Sequence, residues 1–557
     1  MMMKNGFRFV AGGVVAMLGG GCGLLIGYED ATLHQPDAGT GGATTGAGGH
    51  GGAGGSSACD PGKAAPCYSG PDGTQGVGIC KAGSKTCNAE GTAYGACTGE
   101  LMPGAETCTD SADENCDGHD CGIWAELFGD SDTQYADGIG VDAAGNSYVA
   151  GTFFGAIPFS GNTLISAGQL SLFLVKFDPS GKHVWSKQFG GPDGIVVGSI
   201  AVDAGGTVII GGLTQKSAIS FGGAEVPPGA FVAKFTTDGQ HVWSKSLGSG
   251  QCVGFAFTAT ATVSLTPQGD VIVGGGFCGS IDFGDGPISA TSGGNTDAFI
   301  AKLRGSDGSG KVSDGGWART FGDNKGQYVS LAQVDAAGSI LVAGSFSGTI
   351  DLGPGPVTSV GGSDVFLAKL FPGGATSWAR SFGSASNESP QGLTVDNLGG
   401  PAITGTFGGT VDFGGGPATH KGGYINGFLA KYTNGNTFQW AKTFGGDAPV
   451  NGLCVSADGG GNLFLAGDFQ GSIDLGAGPL IATGTSNDIF LAKFTNTGMV
   501  TWNKRFGDLD GQESSGVAST KTGETILVGY LKGTVDFGLG TLTSAGSYDG
   551  FIARFSP

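Results

Sequence analysis

Oxygen-bearing side chains at regular spacing are the first candidates for chemistry in this chain. Asp113, Asn115 and Asp117, followed at once by Gly118, set three oxygen donors at alternate positions before a residue that permits a sharp turn, which is the first half of a calcium loop. The second half is missing: the position of the usual bidentate glutamate falls on Trp124, so Asp110 or Asp120 would have to complete the shell. The alternative is an acidic turn pinned by Cys116 and Cys121. A second oxygen pattern repeats along the chain. The phrase Gly-x-Ile/Val-Asp-Phe/Leu-Gly supplies Asp282, Asp351, Asp412, Asp474 and Asp536, and Asp297, Asp364, Asp488 and Asp549 form a later set. If the two sets converged, each repeat would hold a cation; an aspartate beside glycine also makes a purely local bond from side chain to backbone.

Other catalytic constellations are lacking. His183 and His241 occupy one repeated position two residues before a tryptophan, which marks them as structural, and His420 stands alone in a loop. The chain has no Gly-x-Ser-x-Gly elbow, no His-Glu-x-x-His helix and no phosphate-binding glycine loop that opens a helix.

The elements that must position any site are set by the tryptophans. All seven stand in one recurring phrase, such as WSKQFG at Trp185, WARSFG at Trp378 and WNKRFG at Trp502, about 60 residues apart. Between them, apolar residues alternate in short runs broken by Gly, Pro, Asp and Asn, the pattern of strands joined by turns. In the copy from Phe321 to Phe382 four strands are expected: a around Val334, b around Val342, c around Phe366 and d around Trp378. The array opens on a lone d strand, Ile123 to Phe128, and the last unit stops after a c strand at Phe555. A ring lets the first strand complete the last unit and removes two orphan edges. The expected fold is all-β: a seven-bladed propeller of four-stranded blades over residues 122–557.

Loop lengths indicate a working face. The a-to-b and c-to-d turns are short and uniform, whereas the d-to-a and b-to-c connections on the other face are longer and variable, as functional loops on a rigid scaffold are. Near the axis on that face the expected ligand-binding residues are Gln134, Asp193, Gln251, Asn324, Gln327, Glu388, Gln391, Asp447, Asn451, Asp510 and Gln512. Cys252 at the entry to one blade and Cys278 at its b-strand exit are expected to form a disulfide, and Cys454 in a strand a is expected to be a buried free thiol.

The chain begins with a basic and then apolar segment, Lys4 to Leu18, too short to span a bilayer and read as an export signal over residues 1–22. Cys22 stands where a lipoprotein signal would place its lipidated cysteine, although Leu18 lies one position farther from it than the usual pattern has. Simple secretion is the other reading. Residues 23–57 are a flexible tether rich in Gly, Ala and Thr. Residues 58–121 carry eight cysteines and few large apolar side chains, so disulfides, four if all pair, must replace a core; the connectivity is open. Zinc is the alternative, but the spacings contain no Cys-x-x-Cys knuckle.

The stretch GTAYGACTGELMPGAETCTDSADENCDGHDCG resembles the Cys-rich, metal-binding type of module found in myxobacterial secreted proteins. The repeats, as in IGVDAAGNSYVAGTF from Ile139 and FLVKFDPSGKHVWSKQFGG from Phe173, resemble bacterial SBBP-type β-propeller repeats over the whole of 122–557. That resemblance implies fold and export and carries no shared catalytic residue.

With 47 acidic against 27 basic residues the formal net charge is −20, which excludes nucleic acid as the natural partner and suits divalent cations or basic ligands. Two function classes follow. One is a non-catalytic propeller of the cell envelope or surface, an outer-membrane-anchored lipoprotein or a secreted or periplasmic protein. It would present a binding face to a protein or glycan, touch the membrane only through a lipid anchor, and act as a monomer. The other is an envelope hydrolase or lyase with calcium in the propeller channel.

Overall fold

The computed structural model describes residues 25–26, 59–71, 73–104, 113–114, 116, 122–248, 261–291, 295–422, 425–446 and 448–557. Seven antiparallel four-stranded sheets account for most of it. Blade 1 is built from Gln134–Val141 (a), Ser147–Phe153 (b), Ser171–Phe177 (c) and His183–Phe189 (d). The a strands of blades 2 to 7 are Ile195–Asp203, Thr262–Leu265, Gln327–Val334, Glu388–Val395, Val450–Ala457 and Gln512–Ser519. Blade 2 also pairs Leu25–Ile26 in parallel with Val202 and Asp203 along its strand a.

The ring closes as the split unit requires. Gly122–Phe128 is strand d of blade 7, pairing antiparallel with Asp549–Phe555 from Gly122 opposite Phe555 to Phe128 opposite Gly550. Closure leaves no blade with three strands, so no row of unpaired backbone groups is presented where a strand is missing.

Strand c shows why these sequences form flat, stackable blades. In Asp364–Leu370 every residue is buried, and the period of two sends successive side chains to opposite sides. Phe366, Ala368 and Leu370 pack in one inter-blade cluster, while Val365 and Leu367 pack in the next, against Ile403, Phe407 and Phe428 of blade 5. Each fully buried aliphatic or phenyl side chain contributes about 1.5–3 kcal/mol relative to exposure. The core is therefore a circle of seven such layers, and the blades hold one another up.

The passage between strands b and c contains an element beyond the four expected strands. In blade 4 it is a small hairpin, Thr349–Asp351 paired with Pro356–Thr358, and equivalent hairpins follow strand b in blades 1, 3, 5, 6 and 7. The repeated aspartate phrase is its first strand. Ile350 and Leu352 are buried against the blade, whereas Asp351 Oδ1 accepts the N–H groups of Gly353 (2.8 Å) and Gly355 (3.2 Å) at the turn. Both glycines have φ near +124°, a conformation a side chain would strain. Asp282, Asp412, Asp474 and Asp536 bond their own turns in the same way.

The small N-terminal region pairs Ala64–Cys67 with Gly83–Thr86 and is crossed by the disulfides Cys59–Cys87, Cys67–Cys97 and Cys80–Cys116. Three bridges mark an oxidising, extracellular or periplasmic setting. Cys108 and Cys121 lie outside the described residues. No helix among the described residues is long and apolar enough to cross a membrane. Cys454 is a buried free thiol, and Cys278 is disulfide-bonded. Cys252, its expected partner, and Cys22 lie outside the described residues.

Candidate functional site at the channel rim

The two faces of the ring use their polar groups differently. On the face of the a-to-b and c-to-d turns, those groups stitch blade to blade. The indole N–H of six of the seven tryptophans donates to the c-to-d turn of the next blade: Trp124 to Pro179 O, Trp185 to Thr237 O, Trp243 to Gly305 O, Trp317 to Pro372 O, Trp378 to Asn434 O and Trp440 to Asn496 O, all at 2.9–3.0 Å. The turn glycine lies flat on that indole: a Cβ on Gly181 would meet the Trp124 ring at 2.6 Å. Lysines of strand c reach the a-to-b turns of this face, with Lys369 Nζ 2.6 Å from Asp335 and Lys431 Nζ 2.9 Å from Asp396, each pair buried. This face is occupied by its own structure.

On the opposite face, four of the expected ligand residues prove to be internal clamps. Gln134, Gln327 and Gln512 are fully buried, and Glu388 is nearly so. Gln327 Nε2 donates to Asp323 Oδ1 (2.6 Å) and to Ser347 O (2.7 Å), while its Oε1 accepts the Asp323 N–H (3.2 Å). Gln134 does the same with Asp130 and Phe154 O, and Gln512 with Asp508 and Lys532 O. Glu388 accepts the Ser384 N–H and hydroxyl. These side chains tie the d-to-a elbow to the end of strand b and have no amide left for a ligand. The expectation is corrected by strand geometry: they are the first residues of strand a, which point into the packing, and the second and fourth point out.

The other expected positions divide. Gln391 and Asn451 occupy the outward positions of strand a, with Gln391 Oε1 accepting the Leu453 N–H at 3.2 Å. Asn324 is exposed in its loop, Asp193 accepts the Ser217 hydroxyl, and Asp510 Oδ1 lies 3.5 Å from Lys532 Nζ. Gln251 and Asp447 lie outside the described residues. So do Asn115 and Asp117; the neighbouring Asp113 is buried.

The outward second residue of strand a pairs across to strand b, making a rung at the rim of the channel. Around the ring the rungs are Tyr135–Thr152, Val196–Leu213, Tyr328–Ser345, Ser389–Thr406, Asn451–Asp468 and Glu513–Tyr530. Among the described residues carboxylates enter it in blades 6 and 7, and the adjoining blade 1 adds Asp137 at the fourth position of strand a.

These groups meet. The Tyr530 hydroxyl donates to Glu513 Oε2. Its ring stands edge-on to Tyr135, with centroids 4.7 Å apart and planes at 81°, and to Tyr548 of the b-to-c connection at 5.5 Å and 89°. Asp137 Oδ2 accepts the Thr152 hydroxyl at 2.8 Å. Asp468, the buried strand-b member of its rung, accepts the Asn487 amide at 3.0 Å, and Asn487 is held by Gln470 at 2.8 Å. Burial pushes the Asp137 carboxyl up to about 7, against the lowering effect of its Thr152 bond. Burial, reinforced by Glu513, pushes Asp468 well above the usual carboxylate range. The phenols of Tyr135, Tyr530 and Tyr548 are raised first by burial and then by the neighbouring acids. Three acids and three tyrosines thus share one arc of the rim.

Neither repeated aspartate set assembles a cation site. The first caps hairpin turns, and in the second Asp364, Asp488 and Asp549 accept the N–H groups of Val360, Thr483 and Ala545 at 2.7–2.9 Å. Among the described residues no three His, Cys, Asp or Glu side chains converge as metal ligands. The rim residues Tyr135, Asp137, Asp468, Glu513, Tyr530 and Tyr548 are absent from the sequence-based set. Their signal was there: LFLAGDF and TILVGYL break the apolar run of strand b with an ionisable or phenolic residue where VAGTF has threonine.

Closed blades, clamped elbows and a rim of unlike residues define the chain as a seven-bladed β-propeller with a disulfide-bonded N-terminal region. No family model matches it, and no curated protein matches it, so the SBBP-type resemblance rests on the residues quoted above. Among solved structures it is similar to a protein of unknown function from Dyadobacter fermentans, at 10% identity and a TM-score of 0.35, covering 78% of this chain and 99% of that one. A puromycin hydrolase matches at 11% and 0.38, covering 72% of this chain and 50% of the hydrolase, and the polysaccharide lyase Uly1 at 12% and 0.38, covering 76% and 90%. At these values the likenesses carry nothing about ligand or reaction.

Proposed function

We propose that this protein is an exported, non-catalytic propeller that binds a glycan at the arc of the rim formed by blades 6, 7 and 1. One observation carries the reading: the open rung is uncharged in blades 1, 2, 4 and 5 and carries carboxylates in blades 6 and 7, beside Asp137 and the tyrosine cluster. Tyrosine faces suit the apolar C–H surface of a sugar ring, and carboxylate oxygens are strong acceptors for its hydroxyl groups. A protein partner on the same loops is the competing occupant.

The rest of the chain fits a tethered binder: a lipid at Cys22, a flexible spacer, a disulfide-bonded stalk with calcium at Asp113, Asn115 and Asp117, and SBBP-type repeats carrying the face. The test is a glycan array probed with the full chain and with Glu513→Gln, in calcium and in chelator. Binding of at least one glycan class that falls about tenfold or more in the variant supports the reading. Retention of proteins alone, or equal binding by the variant, overturns it.

Asp137 favours a second reading, a hydrolase or lyase at the same rim. A carboxyl pushed up to about 7 is about half protonated at neutral pH and can act as a general acid. Turnover of a bound glycan, abolished in Asp137→Asn, would establish it.

A further inference from the structure

The charge at the rim narrows the class of glycan, on the footing that a glycan binds there. Glu513 accepts the Tyr530 hydroxyl, the Tyr530 ring stands against Tyr135, and Thr152, opposite Tyr135 across the strands, donates to Asp137, so the two carboxylates flank one pair of rings. Thr152 and Tyr548 border the same pair of rings, and the buried Asp468 lies close enough to feel the charge of Glu513. Lys532, which acts on Tyr548, is half-exposed and directed to Asp510 at 3.5 Å. Among the described residues no ion pair involves Asp137, Asp468 or Glu513, although elsewhere in the ring buried acids such as Asp335 and Asp396 each have a lysine.

A neutral sugar would accept and donate hydrogen bonds here but bring no counter-charge beside Glu513 and Asp137, whereas an ammonium group supplies one and favours release of the Asp137 proton. The Tyr530 bond uses only Oε2 of Glu513, and a cation against the faces of tyrosine rings is attracted by their quadrupoles as well as by the carboxylates. The perpendicular stacking of Tyr530 on both Tyr135 and Tyr548 fixes those faces in place before any ligand arrives.

We infer that the rim selects glycans bearing free ammonium groups, the class of de-N-acetylated amino sugars, with the ammonium seated between Glu513 and Asp137 and against the rings of Tyr135 and Tyr530. Selectivity then lies in one substituent: acetylation of the nitrogen removes the charge and adds bulk where the acids converge.

The experiment is titration calorimetry of the full chain, at about pH 6.5 where amino-sugar nitrogens are charged, with three hexamers: glucosamine, N-acetylglucosamine and lysine. The glucosamine hexamer should bind at least about tenfold more tightly than the acetylated one, and Glu513→Gln should remove most of that preference with melting unchanged. Asp137→Asn provides a second variant should the first be unstable, with the same expected loss. Asp178→Ala with Lys182→Ala, on the stitched face, should bind as the parent does. Equal affinity for both sugar hexamers would overturn the ammonium assignment and leave the glycan reading standing. Binding of neither sugar would overturn both. A lysine hexamer bound as tightly as glucosamine would overturn the assignment to amino sugars.

Discussion

The indole N–H of Trp124 donates to the backbone carbonyl of Pro179 at 3.0 Å, across the boundary where the first strand of the propeller, completing blade 7, meets blade 1. The same bond recurs at five other blade junctions, so the closing strand is held by the same device as the continuous blades 1 to 5. Deleting residues 122–129 removes this bond together with the ladder to Asp549–Phe555. The truncated ring should melt at lower temperature with lost cooperativity, or aggregate through the bared edge. Calorimetry with light scattering reads this, and parent-like melting of a monomer would contradict closure as the source of stability.

Trp502 breaks the pattern. Its strand precedes blade 7, whose c and d strands are not joined by a continuous turn, and its buried Nε1 has no hydrogen-bond partner among the described residues. Replacing single tryptophans with benzothienylalanine, an isostere lacking the N–H, should cost about 1 kcal/mol at Trp378 and nothing at Trp502, where an unsatisfied donor disappears. Denaturant melts of the two variants give the comparison; equal losses would refute it.

The elbow clamps should be structural only. Gln327→Ala leaves the Ser347 carbonyl and the Asp323 backbone unpaired in a buried site and should cost about 1–3 kcal/mol. The variant should nevertheless bind glycan at the rim as the parent does. A loss of binding without a loss of stability would return Gln327 to the ligand set.

Asp137 makes stability depend on pH in a known direction. Its carboxyl is raised in the folded state from the ordinary value of 3.8 to about 7, so the native protein binds a proton that the unfolded chain releases. That contribution is fully present below about pH 4 and is lost as pH rises through about 7. Asp137→Asn removes the dependence: its melting temperature relative to the parent should rise steadily between about pH 4 and pH 8. A constant difference across that range would show that Asp137 titrates normally.

Cys454 is buried and hence should react with an alkylating reagent only when the blade opens. Under native conditions its labelling should be slower than in denaturant by orders of magnitude, a difference mass spectrometry measures directly.

The propeller was legible because its determinants are local and repeated. Trp378 recurs at one register because the same niche, the turn of the next blade, recurs with it, and the alternation of Val365, Phe366 and Leu367 is set by the two-residue period of a strand whatever surrounds it. The hairpin after strand b was written in the same phrase that gave Asp351, Ile350 and Leu352, yet those aspartates could be read as ligands because sequence does not tell which acceptor a carboxylate will find.

The rim was legible as a place but not as a set of residues. Repeated Gln134, Gln327 and Gln512 stand one position from the outward Tyr135, Tyr328 and Glu513, and a shift of one residue along a strand exchanges inside for outside. The chain by itself determined the strands, the number of blades and the closing of the ring, since these follow from short-range alternation and from a repeat that begins on its fourth strand. Which polar groups meet was decided only by the tertiary structure. Tyr135 and Tyr530 lie far apart in the sequence and touch because ring closure brings blade 7 beside blade 1, and no local pattern encodes a contact made by joining the two ends of a circle.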